Sequence, residues 1–270
     1  MNGEVLVIAM DTLGFEETAM RYQKTKCPLP IIHLPGVKTT ESIRATCTSW
    51  CELFATDTLI GCYYAHRSAW QYLLARPAIN FLVVLEEDAH FSADFSTKLI
   101  NDVLPLCTWY DFIAIGNLIS GKDLPNIKPW EHLLHFAATM NAIPVGRLYK
   151  IKLLFGTHGY IITRQGAQIL NKHLQKPGGH IDSGITSLIN QHLIEAVGVR
   201  PSLVFQAEFQ KSSQSDCVLP DTISIDEPPL EWMLGTKQLR LLDLTMTTGD
   251  LIQVGIMTSI LLIAMTIKQC

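Results

Sequence analysis

Short apolar runs alternate along the chain with amphipathic segments. Val5–Ala9, Phe81–Leu85 and Phe112–Ile115 are each four or five residues long, and each is preceded by a polar residue. Runs of this length between polar or turn-forming residues predict buried strands. We predict two further strands, one over Tyr160–Thr163 and the last within PSLVFQ at 201–206.

In the segments between these runs, apolar residues recur at the spacing of a helix. After Gly61, for example, Cys62, Ala65, Ala69 and Leu73 recur at the period of a helix. Strand and helix alternate throughout, which predicts an α/β fold with a mostly parallel sheet flanked by helices. Residues 118–158 contain three prolines and are predicted to be an irregular excursion on the working face of the domain. The predicted helices are Phe15–Lys24, the segment from Gly61 through CYYAHRSAWQYLLA, Asp94–Leu104, Gln165–His173 and HIDSGITSLINQHLIEA at 180–196.

Composition narrows the class of protein. Apolar residues make up 48% of the 270-residue chain and charged residues 17%, which indicates a folded globular protein. The formal net charge of −4 argues against nucleic acid as a partner. Cys47 and Cys51 lie four residues apart, but no second pair follows to complete a zinc finger. We therefore expect reduced thiols in a cytoplasmic protein.

The two ends of the chain differ in hydropathy. The segment MNGEVLVIAMDTLG has an acidic residue where a signal peptide would be basic, and its apolar run is too short. Residues 251–267 are 17 uncharged residues, close to the roughly 20 that span a bilayer. They are expected to form either a C-terminal membrane anchor, with the rest of the chain on the cytosolic side, or a buried apolar helix.

Three adjacent carboxylates follow the central apolar run. Glu86, Glu87 and Asp88 come directly after the predicted strand, and open α/β sheets bind ligands at the carboxyl ends of their strands. Residues i and i+2 of a strand share a side, so Glu86 and Asp88 are expected to face one ligand. A divalent cation relieves the repulsion between such carboxylates, and hard oxygen ligands suit Mn²⁺ or Mg²⁺ carrying phosphates. The alternative is a solvated turn.

Five motifs in order resemble those of glycosyltransferase family 25, the lipopolysaccharide and procollagen galactosyltransferase-like enzymes. The resemblance covers about residues 4–216 and implies a Rossmann-like nucleotide-diphospho-sugar transferase fold of the GT-A type. The chain departs from the family's pattern at Ala9-Met10 and at Ala65-His66. The motifs are IGCYYAHRSAW (60–70), VVLEEDAHF (83–91), GTHGYIITRQGAQIL (156–170), HID (180–182) and PSLVFQ followed by SQSD (201–216).

The resemblance also implies roles for individual residues. The family's acidic motif holds a metal on the diphosphate of the sugar nucleotide, which implies Glu86 and Asp88 as ligands of Mn²⁺ or Mg²⁺. Asp182 is the candidate general base, with helix capping as its structural alternative. His66 has a packed core position as its alternative. The residues assigned to the donor are His66, Arg67, Glu87, His158 and Tyr160.

We expect a metal-dependent inverting glycosyltransferase. It would move a hexose, galactose or glucose, from a UDP-sugar to a hydroxyl group of a glycan or glycoprotein acceptor. A metal-dependent phosphohydrolase or nucleotidyltransferase would use the same carboxylates, and a glycan-binding module that has lost catalysis is the non-enzymatic alternative. The expected organisation is a catalytic domain over 1–216, a linker over 217–250 and the apolar segment 251–267.

Overall fold

The computed structural model describes most of the predicted catalytic domain. Most of the excursion at 118–158 and of the extension at 217–250 lies outside the described residues, as does all of the apolar segment 251–267. The described residues are 2–116, 144–145, 148–151, 154, 156–206, 239–241 and 244–246.

Within the described residues, eight strands form one sheet in the spatial order β2-β1-β3-β8-β5-β9-β7-β6. Two antiparallel pairs lie outside it, β4 with β10 and β11 with β12. The sheet consists of β1 (Gly3–Ala9), β2 (Ile31–Pro35), β3 (Phe81–Glu86), β5 (Phe112–Gly116), β6 (Pro144–Val145), β7 (Leu148–Lys150), β8 (Gly159–Thr163) and β9 (Ala196–Val199). The pairs consist of β4 (Ala89–Phe91), β10 (Val204–Gln206), β11 (Leu239–Leu241) and β12 (Leu244–Met246).

Most strands of the sheet share one direction. Strand β1 runs parallel to β2 and β3, and β5 runs parallel to β9. Strand β8 is antiparallel to both of its neighbours, β3 and β5, and β7 is antiparallel to β9 and β6. Of the eight strands described in this sheet, β7 and β8 therefore oppose the other six. The α/β class with a mostly parallel sheet is confirmed, and β8 is an antiparallel insertion that the alternation of elements did not predict.

The predicted helices are present, but several of them begin or end at other residues than predicted. Helix α4 (Asp57–Leu74) begins four residues before Gly61. Helix α5 continues through a π turn, Leu99–Val103, into a 3₁₀ turn, Leu104–Thr108. Two short helices, α2 and α3, were not predicted. The helices are α1 (Thr12–Lys24), α2 (Glu41–Arg44), α3 (Ser49–Phe54), α4 (Asp57–Leu74), α5 (Phe95–Lys98), α6 (Arg164–His173) and α7 (Ile181–Asn190).

The helix predicted over 180–196 is too long at its C-terminal end. Helix α7 stops at Asn190, and His192 has a φ of 57°, a left-handed conformation that a helix cannot continue through. The residues that follow turn back into the sheet as β9, where Val197 pairs with Ile113. The apolar AVGV segment therefore completes the sheet core as a strand.

Alternate residues of the central strands build two hydrophobic cores, one on each face. Leu82 and Val84 of β3 pack with Trp70 of α4, in a cluster that also includes residues of α6 and α7. Val83 and Leu85 belong to the opposite cluster, which includes residues of α1 and α5. Because every residue from Phe81 to Leu85 is buried, β3 is held from both sides and its end is rigidly placed.

The chain divides into two compact units. The larger contains the described residues of Met1–Lys38, Gly61–Gln175 and Ile181–Val218, and it holds all the site residues named above. The smaller contains those of Thr39–Ile60, Lys176–His180 and Leu219–Cys270, and within it Arg44 forms an ion pair with Asp57. Among the helices in the described part of the chain, none has the length and apolar character to cross a bilayer.

Candidate active site

Glu86 ends the central strand β3 at the carboxyl edge of the sheet. Its backbone pairs with Ile8, near the end of β1, so both parallel strands stop at the same edge. The Glu86 side chain is about 25% exposed. Its Oε1 accepts hydrogen bonds from Thr157 Oγ1 at 2.9 Å and from His66 Nε2 at 3.2 Å. A partly buried carboxylate with two fixed donors therefore lies where ligands bind in this class of sheet.

A buried chain of hydrogen bonds positions His66. Trp70 Nε1 donates to Tyr160 Oη at 3.1 Å, and that oxygen lies 3.1 Å from His66 Nδ1. The indole nitrogen can only donate, so the tyrosine hydroxyl can direct its own hydrogen to Nδ1. Nε2 of the neutral ring then carries the hydrogen that it donates to Glu86. Helix α4 supplies Trp70 and His66, and β8 supplies Tyr160, so two elements orient the imidazole.

The surroundings of Glu86 favour its ionised form. Burial by itself raises the pKa of this carboxyl group, but the hydrogen bonds from His66 and Thr157 and the electrostatic interaction with the nearby imidazole rings lower it. The net effect is a pKa below the ordinary value of 4.5. Glu86 is therefore a fixed negative charge at neutral pH, as a cation ligand or an orienting carboxylate must be.

His158 lies beneath this edge and is only 2% exposed. A Cβ atom placed on Gly116 would come 2.6 Å from His158 Nε2, so the glycine makes room for the ring. Burial lowers the pKa of His158 to about 4, although Glu86 and a hydrogen bond with the backbone of Val204 oppose this shift. The ring is consequently neutral at physiological pH. Its Nδ1 has no hydrogen-bond partner among the described residues.

Cys62 completes a cluster with His66 and Glu86. One ligand atom of each residue, the thiol sulfur, a ring nitrogen and a carboxylate oxygen, lies within 4.8 Å of the others. Cys62 is accessible to solvent, yet protein atoms surround it. This desolvation, together with the negative charges of Glu86 and Asp182, raises the pKa of the thiol well above its ordinary value. The sulfur thus lies at a solvent-accessible position under the influence of two carboxylates.

Asp182 approaches the same region from the first turn of α7. Its Oδ1 accepts from the backbone N–H of Ser183 at 2.7 Å, and its Oδ2 accepts from the backbone N–H of Gly156 at 3.2 Å. Gly156 has a φ of 82°, which favours glycine there. Asp182 is 5% exposed, and its partner Gly156 precedes Thr157, which donates to Glu86, so the structure brings Asp182 to the Glu86 region.

Glu87, the residue after Glu86, makes its contacts on a different side of the site. Glu87 Oε2 accepts from the backbone N–H of Met10 at 2.9 Å, where β1 leads into α1. Its backbone oxygen accepts from Arg21, which also donates to the backbone oxygen of Ala89. The two adjacent carboxylates, Glu86 and Glu87, therefore have separate surroundings, as the alternation of a strand requires.

The remaining assigned residues lie at the margins of this arrangement. Asp88 is half-buried and is not a member of the cluster of Cys62, His66 and Glu86. Arg67 donates from Nε to Asn171 Oδ1 of α6 at 3.3 Å, so its side chain is directed to that helix. The structure thus brings together Glu86, His66, Tyr160, His158 and Asp182, and it places Arg67 and Glu87 in other contacts.

Two members of the site had no role in the sequence analysis. Thr157 donates to Glu86, but a threonine in a loop has no pattern that predicts such a contact. Cys62 was assigned to the apolar face of its helix. Its spacing of four residues from His66 places both on one side of α4, and this signal could have drawn attention to the pair.

The fold and this site define a class, an α/β protein with an ionised carboxylate at the carboxyl edge of its sheet. A sequence profile of glycosyltransferase family 25 (LPS biosynthesis protein) matches residues 38–185, which is more than half of the chain. The chain belongs to this family and is a glycosyltransferase, and its α/β fold with a mostly parallel sheet is the class predicted. No curated protein matches the sequence.

Solved structures resemble the chain at low sequence identity. One is a glycosyltransferase involved in glycosylation of the major capsid of PBCV-1, with 7% identity, a TM-score of 0.40 and coverage of 78% of this chain and 98% of that one. Another is a mutant of Drosophila β-1,4-galactosyltransferase 7 in complex with manganese, UDP-Gal and xylobiose, with 6% identity, a TM-score of 0.40 and coverage of 92% of each chain. These similarities are weak, and the assignment rests on the family match.

Proposed function

We propose that this glycosyltransferase is metal-dependent and inverting, and that it transfers galactose or glucose from a UDP-sugar to a hydroxyl group of a glycan or glycoprotein. The observation that supports this proposal best is the ionised, doubly hydrogen-bonded Glu86 at the carboxyl edge of the sheet. Family membership favours glycosyl transfer over phosphate hydrolysis by the same carboxylates. The family's description as an LPS biosynthesis protein supports a lipopolysaccharide glycan as the acceptor.

The donor atoms at this edge are suited to a divalent cation. Both hydrogen bonds to Glu86 end on Oε1, and within the described residues no group donates to Oε2. That oxygen, together with the carboxylate of Asp88 two residues later, would hold Mn²⁺ or Mg²⁺, which prefer oxygen ligands. When bound, the cation supplies Lewis-acid stabilisation of the diphosphate leaving group.

The chain's own residues hold this edge in the required state. His66 keeps Glu86 ionised and oriented, and Tyr160 fixes the His66 ring in turn. His158 is buried beneath the edge and remains neutral at physiological pH. In the proposal, His66, His158 and Tyr160 shape the donor site around Glu86, and Glu87 contributes on the side of α1. Arg67 is the remaining donor residue, and its side chain contacts Asn171.

Asp182 is the proposed general base. In an inverting transfer the acceptor hydroxyl attacks the anomeric carbon, the bond from that carbon to the diphosphate oxygen breaks, and the hydroxyl proton passes to a carboxylate. The charge of Asp182 acts on Cys62, which is a neighbour of Glu86. Its two backbone hydrogen bonds hold the carboxylate still at that position.

Calorimetric titration of UDP into the full chain, with and without Mn²⁺, tests the donor and metal together. We expect UDP binding that requires Mn²⁺ and that disappears in a double variant, Glu86→Gln with Asp88→Asn. The matched control is Asp94→Asn, which removes a 50% exposed surface carboxylate paired with Lys98. UDP binding of equal strength in the double variant would contradict the metal assignment. A lack of UDP binding under all conditions would contradict the proposed donor.

The sugar and the stereochemistry need a second assay. UDP-galactose and UDP-glucose are supplied with a lipopolysaccharide core oligosaccharide, and the anomeric configuration of the product is read by NMR. Inversion is expected, because a single displacement by the acceptor hydroxyl reverses the configuration. A product that retains the donor's configuration would contradict a single displacement assisted by Asp182.

A further inference from the structure

A sulfur, a nitrogen and an oxygen ligand converge at the end of β3. Cys62 and His66 lie one helical turn apart on α4, and Glu86 is the last residue of the strand. One ligand atom from each residue lies within 4.8 Å of the other two. Within the described residues, these three side chains lie close enough together to bind one metal ion.

The spacing fits a cation bound in tetrahedral geometry. Zinc binds histidine nitrogen at about 2.0–2.1 Å and carboxylate oxygen at about 2.0–2.2 Å, so two such ligands on one ion lie about 3.4 Å apart. Nε2 of His66 and Oε1 of Glu86 are 3.2 Å apart. The pair therefore already has nearly the separation of two ligands of one zinc ion.

The ligand atoms of this cluster differ from those expected for a metal ion that binds a sugar nucleotide. Mn²⁺ and Mg²⁺ prefer oxygen ligands, whereas thiolate and imidazole favour zinc. We propose that Cys62, His66 and Glu86 form a zinc-binding site with three protein ligands, whose fourth position is open to water or substrate. This site is distinct in its ligands from the cation site proposed at Glu86 and Asp88, and Glu86 belongs to both.

The surroundings of the cluster support binding of a cation. Cys62 is accessible to solvent, which provides a path of entry. The negative charge of Asp182 acts on Cys62 in addition to that of Glu86. Tyr160 lies 3.1 Å from Nδ1 of His66 and supplies the outer hydrogen bond that metal-bound histidines usually make.

Binding of zinc requires a defined redistribution of protons. The Cys62 thiol releases its proton to solvent and binds as the thiolate. Nε2 of His66 gives up the hydrogen that it shares with Glu86, and the neutral ring carries its hydrogen on Nδ1, where it donates to the Tyr160 oxygen. The hydrogen bond between His66 and Tyr160 is thus kept with its direction reversed.

The shared ligand has a consequence for transfer that rests on the proposed function. The zinc site uses Oε1 of Glu86 and the proposed donor site uses Oε2, so two cations would be held by one carboxylate and would repel each other. Zinc at this cluster is therefore expected to compete with the cation that the donor diphosphate requires. Zinc binding itself does not depend on this consequence, and it can be measured without any sugar nucleotide.

Titration of Co²⁺ into the full chain, after treatment with a chelator, tests the site by spectroscopy. Co²⁺ replaces zinc in such sites, and thiolate ligation gives a charge-transfer absorption together with the strong visible bands of tetrahedral cobalt. We expect both signals in the wild type, with their loss when zinc is added. Cys62→Ser should abolish the thiolate absorption and weaken zinc affinity by more than about tenfold.

Two further variants keep this test decisive. Cys107→Ser removes a half-buried cysteine outside the cluster and should leave the thiolate absorption unchanged. Glu86→Gln should weaken zinc affinity by a similar factor while the thiolate absorption remains. Thiolate absorption that persists in Cys62→Ser, or an octahedral cobalt spectrum in the wild type, would overturn the proposal. Failure of UDP to bind would not, since that outcome bears on the proposed donor alone.

Discussion

Nε2 of His66 lies 3.2 Å from Oε1 of Glu86, and this contact joins the middle of α4 to the carboxyl end of β3. His66 is 1% exposed, whereas Glu86 is about 25% exposed, so a buried group holds one that ligands can reach. The same imidazole reaches Tyr160 through its other nitrogen. The position and charge of the carboxylate therefore depend on the packing of the core beneath it.

Replacing His66 should test this dependence. His66→Phe removes the donor to Glu86 and the partner of Tyr160, and each group left unpaired costs about 1–3 kcal/mol. We expect the free energy of unfolding, measured in urea at neutral pH, to fall by about this amount or more. His66→Gln keeps an amide N–H and should lose less. Equal losses in the two variants would show that the hydrogen bonds are unimportant.

Tyr160→Phe should be costly for a substitution that removes one oxygen atom. The change leaves Trp70 Nε1 and His66 Nδ1 without their shared partner in a buried site. We expect a loss of about 1–3 kcal/mol in the free energy of unfolding. Tyr72→Phe is the matched control, because its hydroxyl group donates to Glu4 in a partly exposed position and should matter less. The interpretation fails if both variants lose the same stability.

His158 should make the folded state sensitive to mild acid. Its pKa falls from 6.5 to about 4 on folding, so the unfolded chain binds the extra proton between these values. Stability is therefore expected to be complete above about pH 6.5 and to decrease by a few kcal/mol as the pH falls toward about 4. The stability of His158→Gln, followed by thermal unfolding, should vary less with pH across this interval.

The control for this experiment is His173→Gln, which removes an exposed histidine at the end of α6. It should retain the pH profile of the wild type. Glu86 acts in a separate interval, because its pKa is below 4.5, so its stabilising contribution is lost only as the pH falls below that value. If the stability of His158→Gln varied with pH as that of the wild type does, the interpretation of His158 as a buried, neutral imidazole would be wrong.

The Asp182→Asn variant should distinguish a catalytic role of this carboxylate from a structural role at the start of α7. If the carboxylate accepts the proton of the acceptor hydroxyl, kcat should fall by about 10²–10⁴ while UDP binding is retained. Asn has one acceptor oxygen, so the hydrogen bond from Gly156 or that from Ser183 is lost. Melting temperature and kcat are therefore measured on the same preparations. A fall in melting temperature with kcat unchanged would assign Asp182 a structural role only.

Parts of this site could be predicted from local patterns. The apolar run Phe81–Leu85 predicts a buried strand, and the acidic residues that follow must then lie at its end. The period of 3.6 residues places Cys62, His66 and Trp70 toward one side of α4. Such patterns report which face of an element is buried, because each depends only on residues that are close in the chain.

Other parts depended on contacts between distant residues. The pattern of β8 predicts a strand, but not that it runs antiparallel between β3 and β5, the arrangement that brings Tyr160 to His66 across 94 positions. The helix predicted over 180–196 ended at Asn190, and Ala196–Val199 formed a strand because it could pair with β5.

Sequence by itself therefore determined which residues end strands and which faces are buried, since backbone geometry and side-chain polarity act locally. Tertiary structure alone decided that His66, Thr157 and Cys62 meet Glu86, and that Tyr160 meets His66. The pairing of strands and the packing of helices on them are cooperative properties of the whole core, in which each contact is favourable only when the others are present.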